Sequence, residues 1–435
     1  TATAFGTGIK TQTDTVGLSG DFSQSADSVA EKAKRAGKAV GIISSVTLNH
    51  ATPAAFYANV ESRNSYYDIG LQMAETDFDF FGGGSLKHRT GKEKDQKDLY
   101  TILEERGYTI ADTKQEAEQI TADSKKVYMV AEDLQDDGAM TYAIDQNSDS
   151  QTLKDVVDKG IEVLSNDPEG FFMMAESGKI DWAEHANDGV TTMEEVIQFQ
   201  EAIQSAVDFY NVHSDDTLIV VTADHSTGGF TIGNSSTGYE TYFDLLTNQK
   251  GSQVAFQEKV KSALETNPNI SFEEFASQIT AFFGLVLDPN APAETGTEAA
   301  VEAYKEQQES NRLICSQEEY QELKTAFEES KKASEEQNVQ YGGYDPVSIT
   351  ATHILDKKAG LAWTTTAHAG EKVPVYAMGS GAYMFDGEFD DTDVAVRLGE
   401  AMGFNGEVAG PKDQMETETK KPVGVGLIPP ASGNE

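Results

Sequence analysis

The chain has 435 residues, of which 38% are apolar, and this is enough for one large α/β domain or two smaller ones. Lysine and arginine total 33 against 73 aspartates and glutamates, so the formal net charge is −40 at pH 7 and neither nucleic acid nor an anionic membrane is expected as a partner. No apolar run approaches the roughly 20 residues of a membrane-spanning helix, and the single cysteine, Cys315, excludes an internal disulfide.

Short apolar runs that end in polar or glycine clusters recur along the chain. Their length and their β-branched or aromatic content predict strands that are buried on both faces. The predicted strands are 39–47, 77–84, 126–132, 170–177, 217–225 and 372–381. The predicted helices between them are 26–37, 54–75, 95–107, 150–165, 192–213 and 391–403. This order predicts an α/β fold, in which a largely parallel central sheet is flanked by helices on both faces.

The pattern changes after residue 234. Residues 240–340 are polar and rich in Glu, Gln, Lys and Ala, with apolar residues at helical spacing, which predicts an inserted helical subdomain. The insert could serve as a lid or a dimer surface, although such a charge run is more often a solvated face. Residues 412–435 are polar with Pro and Gly and are predicted to form a loose tail. We expect one domain over residues 1–435, with the insert as part of it.

Acidic and histidine side chains follow two of the predicted strands. Asp181 and His185 are four residues apart, so they share one face of a helical turn and can hold one ion. Asp224 and His225 stand at the carboxyl end of strand 217–225, where open α/β sheets hold their ligands. Each pair also has a purely structural interpretation, as a helix cap beside a hydrogen-bonded histidine.

Two more groups join this set. Glu176 ends the run 170–177, and His368 stands in a loop just before the last predicted strand. Three imidazoles and three carboxylates at strand ends suit zinc and magnesium. Two zinc ions about 4 Å apart would hold the attacking and leaving oxygens of a phosphoryl transfer.

The segment HATPAAFYANVESR adds a hydroxyl and a cation. Thr52 offers a hydroxyl, which is an acceptable magnesium ligand, and His50 stands two residues before it. Arg63, predicted on the following helix, has the forked geometry that matches two phosphate oxygens. It could equally be a surface arginine paired with Glu61 or Asp68.

Five segments stand out when the chain is considered as a whole. They are TATAFGTGIKT, HATPAAFYANVESR, FFMMAESGKIDWAEHAND, TLIVVTADHSTGGF and HAGEKVPVYAMGSGA. In this order they resemble the alkaline phosphatase family, over nearly the whole chain apart from the helical insert. Each segment alone is a weak signal, but five in one order are specific.

The resemblance implies two Zn²⁺ and one Mg²⁺. The ligands it implies for the first zinc, which activates water and takes the ester oxygen, are Asp181, His185 and His368. For the second zinc, which holds the nucleophile, they are Asp224 and His225. For the magnesium they are Thr52 and Glu176.

Three further roles follow from the same resemblance. Arg63 corresponds to the arginine that binds phosphate. His50 and Trp182 occupy two positions that vary within the family and modulate the magnesium site and phosphate binding. The chain resembles the branch with His and Trp at these positions, as opposed to Asp and Lys. The missing lysine charge leads to the hypothesis that the product phosphate is held less tightly.

The activity that the resemblance implies is hydrolysis of small phosphate monoesters through a phosphoserine. In the family, the nucleophilic serine stands three residues ahead of the position of Thr1. An aspartate that bridges the second zinc and the magnesium lies further upstream, and neither residue is in this chain. We therefore expect a fragment that lacks its first strand or strands and has little or no activity by itself.

Other functions stay open at this point. An inactive fragment or metal-binding pseudoenzyme is one alternative, and a phosphodiesterase of the same superfamily is another. A sulfatase is excluded, because the SQEEY segment after Cys315 lacks the required Pro and Arg. Family habit favours a homodimer, although some members are monomers, and export to the periplasm or outside the cell.

Overall fold

The computed structural model describes residues 1–292, 296–332 and 343–404. Its strands are β1 (Ala39–Ser44), β2 (Phe80–Gly83), β3 (Thr109–Ala111), β4 (Val127–Val130), β5 (Leu134–Gln135), β6 (Ala139–Met140), β7 (Phe171–Glu176), β8 (Leu218–Thr222), β9 (Ser226–Thr227), β10 (Thr231–Ile232), β11 (Leu361–Ala362), β12 (His368–Ala369) and β13 (Val375–Gly379). Five of them form a parallel central sheet in the order β3-β4-β2-β1-β7.

Helices connect and cover these strands. They are α1 (Ala2–Thr7), α2 (Val29–Arg35), α3 (Ala51–Ala54), α4 (Tyr66–Glu75), α5 (Leu99–Glu105), α6 (Lys114–Ala117), α7 (Leu153–Leu164), α8 (Lys179–His185), α9 (Gly189–Val212), α10 (Gln253–Thr266), α11 (Phe272–Phe283), α12 (Glu298–Ser310), α13 (Gln317–Ser330), α14 (Pro346–Ala359) and α15 (Thr392–Ala401). Single 3₁₀ turns span Asp136–Gly138, Ala143–Asp145, Phe243–Asn248 and Ala382–Phe385.

Successive residues of the sheet strands pack on opposite faces. Ile42 of β1 belongs to an apolar cluster with α2, α4 and α5, and its neighbour Ile43 belongs to a cluster with α7. Phe81 and Phe80 of β2 divide between the two clusters in the same way. Because a strand directs alternate side chains to opposite faces, continuous apolar runs require a cover on both sides. The predicted α/β fold, a parallel sheet with helices on both faces, is confirmed.

The two strands closest to the predicted site each have an unpaired edge. β7 pairs with β1, β8 pairs with β13, and neither has a second partner among the described residues. Every residue of β7 and β8 is half-buried, whereas all of β1 is buried. β8 and β13 run antiparallel to each other. The predicted strands 217–225 and 372–381 therefore form, but outside the parallel sheet.

The predicted helix 54–75 is wrong in its middle. The chain forms α3 and α4 with a non-helical segment between them, because Val60 pairs with Val16 in an antiparallel bridge that a helix would prevent. Arg63 consequently lies in a turn before α4 and not on a helix. Its backbone N–H donates to the carbonyl of Asp14, 2.6 Å away, which fixes this turn to the N-terminal segment.

The helices after residue 240 have an apolar core of their own. Phe256 of α10, Phe275 of α11 and Phe327 of α13 pack together with Leu355 of α14. This supports the proposal of a helical subdomain, although α14, which lies outside the predicted range, is part of the same core. Residues 333–340 of the predicted insert and the predicted tail 412–435 lie outside the described residues.

Within the described part of the chain, no helix combines the length and the apolar character that crossing a membrane requires.

Candidate metal centre

Five of the seven predicted ligands lie at the carboxyl ends of β7 and β8 and on the segments that follow. β7 ends at Glu176, and α8 carries Asp181 and His185 on one face, four residues apart. Asp224 and His225 follow β8 directly. β7 and β8 belong to different sheets, but polar groups just beyond each strand end are free to converge, because the backbone ladder ends there.

His368 reaches the same place from a distant part of the sequence. β12 pairs antiparallel with β9, which sets His368 opposite Thr227 and beside His225. The His225 and His368 rings stack with their centroids 3.7 Å apart, and the His185 and His368 centroids are 5.1 Å apart. The three predicted histidine ligands therefore meet, although residues 185 and 368 are far apart in the sequence.

Asp181 lies at the middle of this group. Its Oδ1 is 3.4 Å from Nε2 of His185 and 3.7 Å from Nε2 of His368. Nε2 of His225 is 3.2 Å from Oδ2 of Asp224. One ligand atom each from Asp181, His225 and His368 lies within 4.8 Å of the others. This compact trio joins residues that the sequence assigned to two different zinc ions, so the division between the ions stays a prediction.

Neighbouring groups orient these ligands. Nδ1 of His185 lies 2.7 Å from the carbonyl of Thr366, so Nδ1 carries the proton and Nε2 is left free as a metal ligand. The Thr227 hydroxyl donates to Oδ1 of Asp181 over 2.6 Å and lies 3.2 Å from Nδ1 of His225. Such contacts fix ring and carboxylate orientations in metal sites.

Glu176 and Thr52 meet at the end of β7. The hydroxyls of Ser44 and Thr52 both hydrogen-bond to the Glu176 carboxylate. Burial raises the pKa of Glu176 to about 8, and the charges of Asp224 and Asp181 add to the rise, while the two hydroxyls oppose it. The β1–β7 pairing explains the position of Ser44, since it sets Ser44 directly opposite Glu176.

His50 connects Arg63 to Trp182. Nη2 of Arg63 is 2.9 Å from Nε2 of His50, and the His50 and Trp182 rings meet edge to face with centroids 5.7 Å apart. Burial lowers the pKa of His50 to about 3, and the Arg63 charge lowers it further. His50 is therefore neutral, and its Nε2 accepts the hydrogen bond from the guanidinium.

The side chains fit bound cations. Imidazole and carboxylate groups are donors that zinc takes, and oxygen donors suit magnesium. The Glu176 carboxylate is desolvated and lies near the charges of Asp181 and Asp224, so a bound cation would supply a favourable countercharge. Nδ1 of His50 is buried and has no hydrogen-bond partner among the described residues. It can therefore form a hydrogen bond with a further ligand of a bound metal ion.

The contacts form three groups: the zinc candidates around Asp181, the pair Thr52 and Glu176, and the row Arg63, His50 and Trp182. The charges of Asp181 and Asp224 act on Glu176, and that of Asp181 acts on His50, so the three groups are neighbours.

Some residues of this centre were missed by the sequence reasoning. Ser44 and Thr227 position ligands, and each stands at a strand end where a hydroxyl could have been noticed. Lys179, at the start of α8, is fully buried behind Trp182. Burial lowers its pKa to about 8, while the charges of Asp136 and Glu195 oppose the shift and favour the ammonium form.

A parallel sheet with carboxylates and imidazoles gathered beyond its strand ends is the architecture of an α/β metallohydrolase. A family model described as alkaline phosphatase matches residues 1–404. Alkaline phosphatase 3 of Bacillus subtilis (strain 168) is 32% identical over 413 residues, which covers 93% of this chain and 76% of that protein. Alkaline phosphatase 4 of the same organism is 31% identical over 407 residues, or 90% and 73%.

Solved structures agree with the sequence comparisons. The cold-active alkaline phosphatase of a psychrophilic Shewanella sp. has a TM-score of 0.71 at 26% identity, over 93% of this chain and 84% of that one. The Thermus thermophilus alkaline phosphatase has the same fold, with a TM-score of 0.71 at 24% identity, over 92% and 78%. The chain belongs to the alkaline phosphatase family, and its activity is that of a phosphomonoester hydrolase.

Proposed function

We propose that the group around Asp181 holds two zinc ions and that the site hydrolyses phosphate monoesters through a phosphoserine. In this proposal Asp181, His185 and His368 bind the first zinc, and Asp224 and His225 bind the second. The observation that carries it is the convergence of Asp181, His225 and His368 within 4.8 Å. Bound zinc ions would polarise the ester and lower the pKa of the nucleophile and of water.

Thr52 and Glu176 are proposed as magnesium ligands. Both are oxygen donors, and they already contact each other. Ser44 fixes the Glu176 carboxylate from the other side. A structure of a TAB5 alkaline phosphatase mutant with one histidine replaced by glutamate, which shares the fold at 24% identity, has Mg bound in its M3 site, and this supports magnesium as a cofactor here.

Arg63 is proposed to bind the phosphate. Its guanidinium can form two parallel hydrogen bonds to non-bridging phosphate oxygens. Neutral His50 accepts one N–H of the same guanidinium and so fixes the direction of the fork. Arg63 thereby holds the phosphorus where a nucleophile and a leaving group can lie in line, and its charge balances the phosphate.

We propose that the nucleophile is a serine ahead of Thr1, in the order that the family resemblance implies. α1 packs against α3, the helix that carries Thr52, so the segment that leads into α1 lies near the site. The unpaired edge of β7 could accept a strand that ends beside Glu176, which suits the aspartate expected to bridge the second zinc and the magnesium.

The test compares this chain with the chain extended ahead of Thr1 by its native residues. Both proteins are loaded with Zn²⁺ and Mg²⁺, metal content is measured, and p-nitrophenyl phosphate hydrolysis is followed. We expect both to bind zinc and only the extended chain to turn over rapidly. An extended chain that binds zinc without hydrolysing the ester would support a metal-binding pseudoenzyme instead. Preference for a diester would support a phosphodiesterase.

Three further assignments belong to the same proposal. The substrates are small phosphate monoesters, the protein is a homodimer, and it acts in the periplasm or outside the cell. The acidic composition, with a formal net charge of −40, is compatible with such a location. Light scattering of the purified protein tests the dimer, and deletion of the 240–340 helices tests whether they form its surface.

A further inference from the structure

Lys179 is a buried cation at an unfavourable position. It is the first residue of α8, where the helix dipole disfavours positive charge, and its side chain is only 1% exposed. Its Nζ lies 3.7 Å from Oδ2 of Asp136 and has no hydrogen-bond partner among the described residues. A buried ammonium is costly unless its surroundings compensate.

Aromatic rings supply much of that compensation. Nζ of Lys179 lies 3.3 Å from the centroid of the Tyr142 ring and 5.2 Å from that of Trp182. Both distances are within the range of a cation–π interaction, which is strongest where water is excluded. The ammonium therefore lies between the 3₁₀ segment at Tyr142 and the indole of Trp182.

The contacts continue from Trp182 to the phosphate-binding arginine. Trp182 touches His50 edge to face, and Nε2 of His50 lies 2.9 Å from Nη2 of Arg63. Lys179, Trp182, His50 and Arg63 thus form one row of successive contacts. A shift of the indole would move His50, and a shift of His50 would release one N–H of Arg63.

We propose that Lys179 is a positioning residue for phosphate binding, acting through Trp182 and His50 on Arg63. This inference rests on the proposed phosphate-binding role of Arg63. Lys179 itself does not touch phosphate. Its positive charge holds the indole in the orientation that keeps the His50–Arg63 hydrogen bond in place.

The variants are Lys179→Met, which keeps the side-chain length without the charge, and Lys179→Arg, which keeps the charge. Lys179→Gln repeats the neutral test with a polar end, in case methionine prevents folding. The matched control is Lys358→Met, another mostly buried lysine, on α14, whose Nζ pairs with Glu319 of α13 at 2.8 Å. Inorganic phosphate is titrated calorimetrically into the metal-loaded protein at neutral pH.

Phosphate affinity should fall about fivefold in Lys179→Met, because only part of the desolvated cation–π interaction is transmitted through Trp182 and His50 to Arg63. Lys179→Arg and Lys358→Met should stay within about twofold of the parent. The metal content should stay unchanged in all three. In a Trp182→Leu background, Lys179→Met should have no further effect, because the ring through which it acts is gone.

A second measurement does not depend on metal or phosphate. Trp182 and Trp363 are the two tryptophans, so in a Trp363→Phe background Trp182 alone fluoresces. Acrylamide quenching of Trp182 in the metal-free protein should increase in Lys179→Met and not in Lys179→Arg.

The inference is overturned if folded Lys179→Met and Lys179→Gln bind phosphate as the parent does, or if their loss of affinity persists in the Trp182→Leu background. A parent protein that holds zinc but binds no phosphate overturns the proposed function, and this inference with it. A parent that binds phosphate normally while Lys179→Met is unchanged overturns this inference alone.

Discussion

Burial shifts the pKa of several single residues, and the direction of the shift depends on whether the group is an acid or a base. It lowers the pKa of His50 to about 3 and raises the pKa of Glu176 to about 8, because in both cases the neutral form is favoured away from water. His50 is thus an acceptor for Arg63 over the whole working range of pH. Glu176 instead needs a cation to keep its charge.

Arg63→Lys tests the arginine fork. A lysine keeps the charge but loses the paired geometry and the contact with His50, so phosphate affinity should fall about ten- to a hundredfold. The readout is the inhibition constant for inorganic phosphate, measured in the active chain that is extended ahead of Thr1. The control is Arg35→Lys, because the exposed ion pair of Arg35 with Asp27 should not affect phosphate affinity. Equal inhibition constants for Arg63→Lys and the parent would contradict the proposal that Arg63 binds the phosphate.

Cys315 provides a pH prediction outside the site. The side chain is completely buried, and burial raises the pKa of its thiol to about 12. At pH 8 the folded protein should therefore resist iodoacetamide for hours, whereas protein unfolded in guanidinium should react within minutes, since the thiolate is the nucleophile.

The same thiol links stability to alkaline pH. Its pKa is higher in the folded than in the unfolded chain, so its contribution to stability is full below the ordinary thiol pKa and is lost as the pH rises toward about 12. Cys315→Ala should therefore lose less stability than the parent above pH 9. Rapid labelling of Cys315 by iodoacetamide in the native protein at pH 8 would contradict the buried position that both predictions assume.

At the scale of elements, α9 begins in a buried hydrogen-bond network that joins the sheet region to the helices after residue 240. Asp188, its N-cap, accepts from the N–H and the hydroxyl of Thr191. It also accepts from Nε2 of Gln249 and from the N–H of Gln253, at 2.8 and 3.0 Å. One carboxylate therefore satisfies the start of α9 and the start of α10 together.

Asp188→Ala should lower the free energy of unfolding by about 3 kcal/mol, because buried donors lose their acceptor. Ser271→Ala, which removes the surface cap of α11, should cost only about 1 kcal/mol. Urea unfolding measures both. Equal losses in the two variants would mean that Asp188 is no more than an ordinary cap.

At the scale of the whole molecule, bound cations should couple the two halves of the centre. Glu176 and Asp181 follow β7, while Asp224 follows β8, and β7 and β8 share no backbone hydrogen bonds. Without cations, the charges of Asp181 and Asp224 disfavour a charged Glu176 across the gap. An ion held between these carboxylates would therefore stabilise the site. It would also stabilise the arrangement of the central sheet, which contains β7, relative to the β8–β13 pair.

Chelation should lower the melting temperature by several degrees, because ions at a thousandfold excess over their Kd contribute about 4 kcal/mol. Scanning calorimetry with and without EDTA measures this, and added Zn²⁺ with Mg²⁺ should restore it. Asp181→Asn should melt at the chelated temperature in either condition. A parent protein whose melting temperature does not change when EDTA is added would contradict a metal centre in this fold.

The local sequence was enough to predict four of the five strands of the parallel sheet and most of the helices, but not the edge strand β3. A run such as 39–47 can only be buried on both faces, since it has no polar face to expose, and the parallel arrangement follows from the intervening helices. The middle of the predicted helix 54–75 could not be recognised in this way. Its structure depends on the pairing of Val60 with Val16, a partner more than forty residues away.

In the candidate site, too, some features could be predicted from the local sequence and others depend on contacts between distant segments. Asp181 with His185, and Asp224 with His225, were visible from spacing alone, because neighbours on one helical turn or at one strand end must share a location. Only the tertiary structure could bring His368 against His225, through the pairing of β12 with β9, and Lys179 behind Trp182. Spacing carries no information on contacts between distant segments, since those depend on how the strands and helices pack.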